Sequence, residues 1–233
     1  MVIMDKSFGN KLSVVIRVKN EERWIGHTIQ SVLDFFPGAE IIIVDNNSTD
    51  QTINICKLFS KPKIFSDNIN SSYSNFIFTN ISEYTPGKSL NKGIGLATRD
   101  NILIISSHCV IKNIDYSILK KDLDDYVGIF GNQIPVYLGK KIQKRYIWSN
   151  FSDTERRENY FSNNENRYFF HNAFSIFKKK NIISNLFDEE VIGKEDRYWA
   201  IDIIKKELKY VYEPKHVVEH HFTPNGNTWR GLA

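Results

Sequence analysis

Cysteine is nearly missing from this chain. Of 233 residues only Cys56 and Cys109 carry a thiol, and neither belongs to a Cys-x-x-Cys pair. That excludes a disulfide scaffold and a zinc site built on cysteine spacing, and predicts two reduced core thiols in a cytoplasmic protein. Long apolar runs are lacking as well. None approaches the ~20 residues needed to span a bilayer, and the opening "MVIMDKSFGNKLSVVI" has no sustained apolar stretch ahead of a cleavage site. An excess of one charge is also missing: 31 Lys and Arg stand against 27 Asp and Glu, a net of +4, with the signs interleaved. No nucleic-acid partner is therefore expected. An anionic substrate or an anionic membrane surface remains compatible with the mild positive charge. No internal repeat and no linker interrupts the chain, which predicts a single domain.

What the chain does have is enough apolar material for a sizeable core, 41% hydrophobic with 13% aromatic residues. The first hundred residues alternate two periods. "LSVVIRV" (12–18) reads as a buried strand, and "NEERWIGHTIQSVLDFF" as a helix with Trp24, Ile25, Thr28, Ile29, Val32 and Leu33 at helical spacing. Pro37-Gly38 stops it. "AEIIIVD" is a second strand, followed by a helix from Asp50 to Phe59. Residues 61–84 blur into short strands and polar loops. "GKSLNKGIGLAT" reads as a third helix and "NILIISS" (101–107) as another buried strand. Such βαβα alternation predicts an α/β fold with a mostly parallel sheet flanked by helices. Residues 140–170 are polar, aromatic and poorly periodic, which predicts a long loop region over an active site, with a surface insertion as the alternative. A helix resumes at Glu195, and "KYVYEP" and "HVVEHH" read as two closing strands.

Several of these segments place reactive groups where ligands bind in open α/β sheets, at strand C-termini. Asp45 ends the second strand, ahead of the Ser48-Thr49-Asp50 tail that can cap the next helix. Asn20 and Glu21 end the first strand. They offer directional donors and acceptors suited to a base and a ribose, or they cap the helices that follow. Lys88 and Lys92, four residues apart, share a helix face and suit a diphosphate or a solvated surface. Glu195 and Asp196 open a helix whose dipole favours a carboxylate; a base that deprotonates a sugar hydroxyl must sit within hydrogen-bond reach of it. His220 and His221 follow a strand and point to opposite faces, ahead of a Gly-Asn turn and Trp229. A metal ligand, a phosphate contact and a packed side chain are all open to them.

The order of these segments resembles the inverting nucleotide-sugar glycosyltransferases of family 2, which have the GT-A fold. "SVVIRVKNEERWIGHTIQSVL" is similar to that family's opening strand and helix, and "IIIVDNNSTDQT" to its signature strand end. "NKGIGLATRDNILIIS" is similar to the helix leading into the central strand, and "NLFDEEVIGKEDRYWAIDIIKKELKYVYEPKHVVEHH" to the acidic pair and closing strand. The match runs from about residue 12 to 222. It implies a nucleotide-binding half over about 12–110 and an acceptor and catalytic half over about 111–233. It further implies that Asp45 contacts the base, that Asn20 and Glu21 line the nucleotide site, and that Asp196 is the catalytic base. A nucleotidyltransferase fits poorly, because its glycine-rich phosphate loop has no counterpart in "VIRVKNEERW".

One departure matters. The family's metal-binding Asp-x-Asp is replaced by Ser106-Ser107-His108, a poor set for Mg²⁺ or Mn²⁺, which prefer carboxylate oxygens. Three readings follow: a weakly held metal with His108 and one of His220 and His221 helping; Lys88, Lys92 and the histidines standing in for the metal; or lost activity, leaving a silent nucleotide- or glycan-binding relative. "SSHCV…GIFGNQIP…EDRYWA" also resembles bacterial surface-polysaccharide transferases that build O-antigen (lipopolysaccharide) or capsule chains on a lipid carrier, several of them rhamnosyltransferases. That resemblance implies hexosyl or deoxyhexosyl transfer to a glycan or lipid-linked saccharide. It places Gln133, Asn172, Glu195 and Trp199 near the donor sugar or acceptor, and implies peripheral contact with the cytoplasmic face of the inner membrane.

Overall fold

The computed structural model describes residues 6–60, 76–141, 150–151 and 153–224. In chain order the elements are α1 (Lys6–Gly9), β1 (Leu12–Val18), α2 (Ile25–Phe35), β2 (Glu40–Asp45), α3 (Thr52–Ser60), β3 (Phe76–Asn80), α4 (Pro86–Leu96), β4 (Asn101–Ile105) and β5 (Cys109–Asn113). There follow α5 (Tyr116–Asp125), β6 (Gly128–Tyr137), β7 (Lys140–Lys141), β8 (Arg157–Glu158), β9 (Phe161–Ser162), β10 (Arg167–Tyr168), β11 (Phe174–Lys178), α6 (Lys179–Ile183), α7 (Glu195–Lys205) and β12 (Tyr210–His221).

One sheet carries both halves, in the order β3-β2-β1-β4-β11-β6-β12-β5, with β7 on β6 and β8 on β12. β3, β2, β1 and β4 are mutually parallel, as are β6 and β12, while β11 runs antiparallel to β4 and to β6. The expected α/β class is present, but the sheet is mixed: its parallel part is β3, β2, β1 and β4, and antiparallel pairings prevail beyond β4. The chain builds outward from β1 to β3 and then returns through α4 to the other flank of β1. Loops leaving β1 and β4 diverge there, and such a switch point opens a crevice at the strand C-termini.

The period-2 pattern of β1 sends Leu12, Val14, Ile16 and Val18 into the cluster under α2, and Val15 into the cluster under α4. Arg17 shares the second face. α4 can lie close to β1 and β2 because Gly93 faces them: a Cβ there would stand 2.4 Å from a Val15 methyl and 3.1 Å from a Val44 methyl.

Three further expectations change. α2 begins at Ile25 rather than near Asn20, because Asn20 adopts φ 52° and residues 21–24 form a turn tied to the loop after β2. "KYVYEP" and "HVVEHH" are one strand, β12, which keeps its partner β6 across a register shift between Glu213 and Val217. Pro214 lacks the N–H a regular ladder needs. The described part of 140–170 is no surface insertion: Phe151, Tyr160 and Phe169 are buried and pack with Phe130 and Phe170 in an aromatic core. Residues 142–149 and 152 lie outside the described residues, as do Trp229 and its Gly-Asn turn.

Candidate active site

The loops after β1 and β2 are laced together by polar groups from both. The Asp45 carboxylate accepts from the Ser48 amide at 3.0 Å and from its hydroxyl at 2.6 Å. The same hydroxyl accepts from the Asn20 amide at 3.0 Å. The Asn20 side-chain oxygen accepts from the Thr49 amide at 2.7 Å, and Thr52 Oγ1 accepts from the Glu21 amide at 2.7 Å. Asp50 caps α3 through the Thr52 amide at 2.9 Å. Asn20 and Asp45 thus fix a stiff pair of loops, with Asp45 half-buried at the crevice.

From Glu21 a buried polar chain runs across the strand ends. Glu21 Oε1 lies 3.3 Å from His108 Nδ1 and accepts from Thr223 Oγ1 at 3.2 Å. The His108 and His220 rings stack at 4.7 Å, and His220 Nδ1 is bonded to Gln133 Oε1. His221 faces the other way and stacks on Trp24 at 4.0 Å. Two stacked imidazoles do not aim their lone pairs at a common point. Among the described residues no three His, Cys, Asp or Glu side chains are grouped to hold a metal ion. Serine hydroxyls and stacked imidazoles at Ser106-Ser107-His108 do not fit a hard divalent cation.

Beyond this chain opens a cleft of ≈ 350 Å³, of the size of small-molecule sites (about 300–1,000 Å³). Its walls bring together six residues singled out from the sequence: Ser106, Gln133, Asn172, Glu195, Asp196 and His220. Asn20, Glu21, Asp45 and His108 stand in the loops and the polar chain beside it. Four others lie elsewhere. Lys92 Nζ donates to the Asn80 carbonyl at 2.6 Å, at the end of β3, and Lys88 Nζ is 3.9 Å from Glu83. Trp199 sits on the core face of α7, with Nε1 donating to the Asn185 carbonyl at 2.7 Å. His221 rests on Trp24.

The acidic pair is held by two arginines. Arg17 Nη2 lies 3.3 Å from Glu195 Oε1, while its Nη1 donates to the Pro86 carbonyl at 3.2 Å. Arg197 makes a fork on Glu165 at 2.9 and 3.2 Å, donates to the Phe170 carbonyl at 2.7 Å, and reaches Asp196 Oδ2 at 2.9 Å. Its guanidinium also lies over the Phe169 ring at 4.4 Å. Burial pushes the Asp196 carboxyl above the usual carboxylate range; Arg197 opposes the shift and Glu195 adds to it. The result is a carboxylate oriented by one fixed cation and made more basic by its surroundings.

The segment that delivers α7 is anchored on α4. The Asn91 amide donates to the Phe187 carbonyl at 2.8 Å and to Glu189 Oε1 at 2.9 Å, and its oxygen accepts from the Phe187 amide at 3.1 Å. Thr85, which caps α4, also donates to the Glu189 carbonyl at 2.7 Å. Sequence reading passed over Arg17, Asn91, Glu165, His171 and Arg197. The available signal was a charged arginine inside the buried-strand run "LSVVIRV".

Known proteins are similar to this chain in sequence and in fold. The model of the family described as "Glycosyl transferase family 2" matches residues 13–184. The chain is 26% identical to a dolichyl N-acetyl-alpha-D-glucosaminyl phosphate 3-beta-D-2,3-diacetamido-2,3-dideoxy-beta-D-glucuronosyltransferase of Methanococcus voltae, over 92% of this chain and 67% of that protein. It is 24% identical to a GalNAc(5)-diNAcBac-PP-undecaprenol beta-1,3-glucosyltransferase of Campylobacter jejuni, over 87% of this chain and 62% of that one. Among solved structures, S. aureus TarS 1–349 in complex with UDP-GlcNAc superposes with a TM-score of 0.68 at 17% identity, covering 96% of this chain and 61% of that chain. The mannosyltransferase PcManGT from Pyrobaculum calidifontis, in complex with GDP-Man and Mn2+, gives 0.60 at 13%, covering 93% and 58%. These two show a shared GT-A fold. The chain spans about 60% of TarS 1–349, 37% of a longer TarS chain, and 62% to 67% of the two curated relatives.

Proposed function

The chain belongs to glycosyl transferase family 2, and from that premise we propose that it moves a sugar from a nucleotide-sugar donor to a glycan or lipid-linked saccharide, inverting the anomeric centre. The observation that carries the reading is Asp196: a cleft-lining carboxylate, raised in basicity by burial and aimed by Arg197. Asp196 takes the proton from an acceptor hydroxyl. The acceptor oxygen forms its bond to the anomeric carbon as the bond to the leaving diphosphate breaks, and that electron pair departs on the β-phosphate oxygen. Attack opposite the leaving group inverts the centre. Asn20, Glu21 and Asp45 hold the nucleoside in the half over 12–110, and the half over 111–233 presents the acceptor. Glu195, Gln133 and Asn172 border the sugar.

The strand end Ser106-Ser107-His108 meets the diphosphate with hydroxyl and imidazole hydrogen bonds. Both curated relatives carry names of lipid-linked saccharide substrates, which supports an acceptor of that kind in surface-polysaccharide assembly, such as O-antigen or capsule. The reaction would run at the cytoplasmic face of the membrane with peripheral contact. No helix among the described residues is long and apolar enough to cross a bilayer.

The replaced Asp-x-Asp favours one second reading, a silent relative that binds nucleotide or glycan without transfer. Asp196→Asn separates the two. On the transferase reading it lowers transfer by a factor on the order of 10²–10⁴, the worth of a general base, while nucleotide affinity stays within about twofold. A wild-type chain that binds nucleotide and transfers nothing to any acceptor supports the silent relative instead.

A further inference from the structure

We propose that His171 is a sugar-binding residue, its neutral imidazole sharing a hydrogen bond with a pyranose hydroxyl in the cleft. The proposal rests on the transferase reading and names a contact within that site. His171 lines the cleft at 2% exposure. Neither Nδ1 nor Nε2 has a hydrogen-bond partner, although the ring lies near the carbonyls of Gly131 and of its own residue. Buried polar groups are nearly always paired, and leaving one unpaired is costly. An orphan in a cleft wall is satisfied when a ligand arrives.

The chemistry of that ligand follows from the surroundings. Burial, with Arg197 adding to it, lowers the imidazole to about 3, so it stays neutral and adds no positive charge for a diphosphate. A neutral imidazole has one donor and one acceptor pointing different ways, so one of its nitrogens pairs with a sugar hydroxyl, which can play either part. Two other neutral side chains of the cleft are engaged. Gln133 Oε1 is taken by His220, and Asn172 bridges Glu195 at 3.5 Å and Ser175 at 3.1 Å. Phe130 stands edge-on to the His171 ring at 5.1 Å, with Phe169 at 5.9 Å and Phe151 at 6.2 Å. Phe151 also lines the cleft, offering an apolar wall to the C–H face of a sugar ring.

His171→Phe tests this, because the ring still fills the aromatic box while both nitrogens go. Wild type, His171→Phe and His171→Gln are titrated calorimetrically with UDP, GDP and dTDP and with UDP-GlcNAc, GDP-mannose and dTDP-rhamnose. N,N′-diacetylchitobiose is added to the nucleotide-bound protein as an acceptor-side probe. Melting temperatures are measured without ligand. The expected result is unchanged diphosphate affinity, a sugar-dependent gain reduced about tenfold in the Phe variant and partly restored by Gln, and an unliganded Tm equal to or above wild type. Loss confined to the nucleotide sugars assigns the contact to the donor, and loss confined to chitobiose assigns it to the acceptor. A Phe variant with lowered Tm and intact sugar-dependent affinity makes His171 a packing residue and overturns the proposal. A wild type that binds none of these nucleotides overturns the transferase reading, and this proposal with it.

Discussion

At the scale of single residues, the acidic pair is a balance between buried charge and function. Arg197 is 7% exposed and stands between Glu165 at 5% and Asp196 at 13%. Removing the cation leaves two enclosed carboxylates uncompensated, so Arg197→Met should destabilise by about 3–5 kcal/mol. A urea midpoint within error of wild type would show that the clamp is not structural. Asp196 itself has the opposite effect. Its folded carboxyl titrates above the ~3.9 of an unfolded aspartate, so the protonated form is the one the fold prefers. The stability it contributes is complete below that unfolded value and is lost as pH rises through the folded value. Asp196→Asn should therefore gain on wild type as pH rises through this window, then hold a constant advantage. Melting temperatures of both proteins from about pH 4 to 8 check this. A pH-independent difference would mean that burial does not raise the carboxyl.

At the scale of elements, α4 is the part on which the site is assembled: it lies against β1 and β2 and ties down the segment before α7. Gly93→Ala improves helix propensity by about 1 kcal/mol, yet its Cβ has no room above Val15 and Val44. Overpacking of this kind costs about 1–3 kcal/mol, so the variant should unfold at lower urea than wild type. A more stable variant would show that α4 can shift freely on the sheet. The elements themselves were unevenly legible in the sequence. β1, β2, β4, α2, α3 and α4 were visible because buried parallel strands and amphipathic helices leave contrasting periods. β11 hides inside a continuous aromatic run, and β12 was split in two because Pro214 looks like a terminator while the sheet absorbs it as a bulge. The cleft and the loops beside it were legible wherever a polar residue ends a strand or opens a helix, as with Ser106, Asp45, Glu195 and Asp196. Arg17, Glu165 and His171 left no such mark. Their roles come from what they meet across the fold, and local pattern does not encode that. Trp199 shows the converse: a motif position suggested a ligand contact, and the helix face that carries it is turned into the core.

At the scale of the whole molecule, one sheet joins a laced pair of loops to a cleft lined by a fixed carboxylate. The Glu21–His108–His220–Gln133 chain connects them. The central claim is that this assembly binds a nucleotide-activated sugar and meets its diphosphate with side chains of the protein. The direct test is a thermal-shift screen of UDP, dTDP, GDP and CMP, each with Mg²⁺, with Mn²⁺ and with EDTA. A ligand that binds only the folded state raises Tm by mass action, by the equivalent of about 2.7 kcal/mol at a hundredfold excess over Kd. The predicted result is stabilisation by one nucleotide class that persists in EDTA. Stabilisation abolished by EDTA would contradict the metal-free diphosphate site, and no stabilisation by any of the four would contradict nucleotide binding itself.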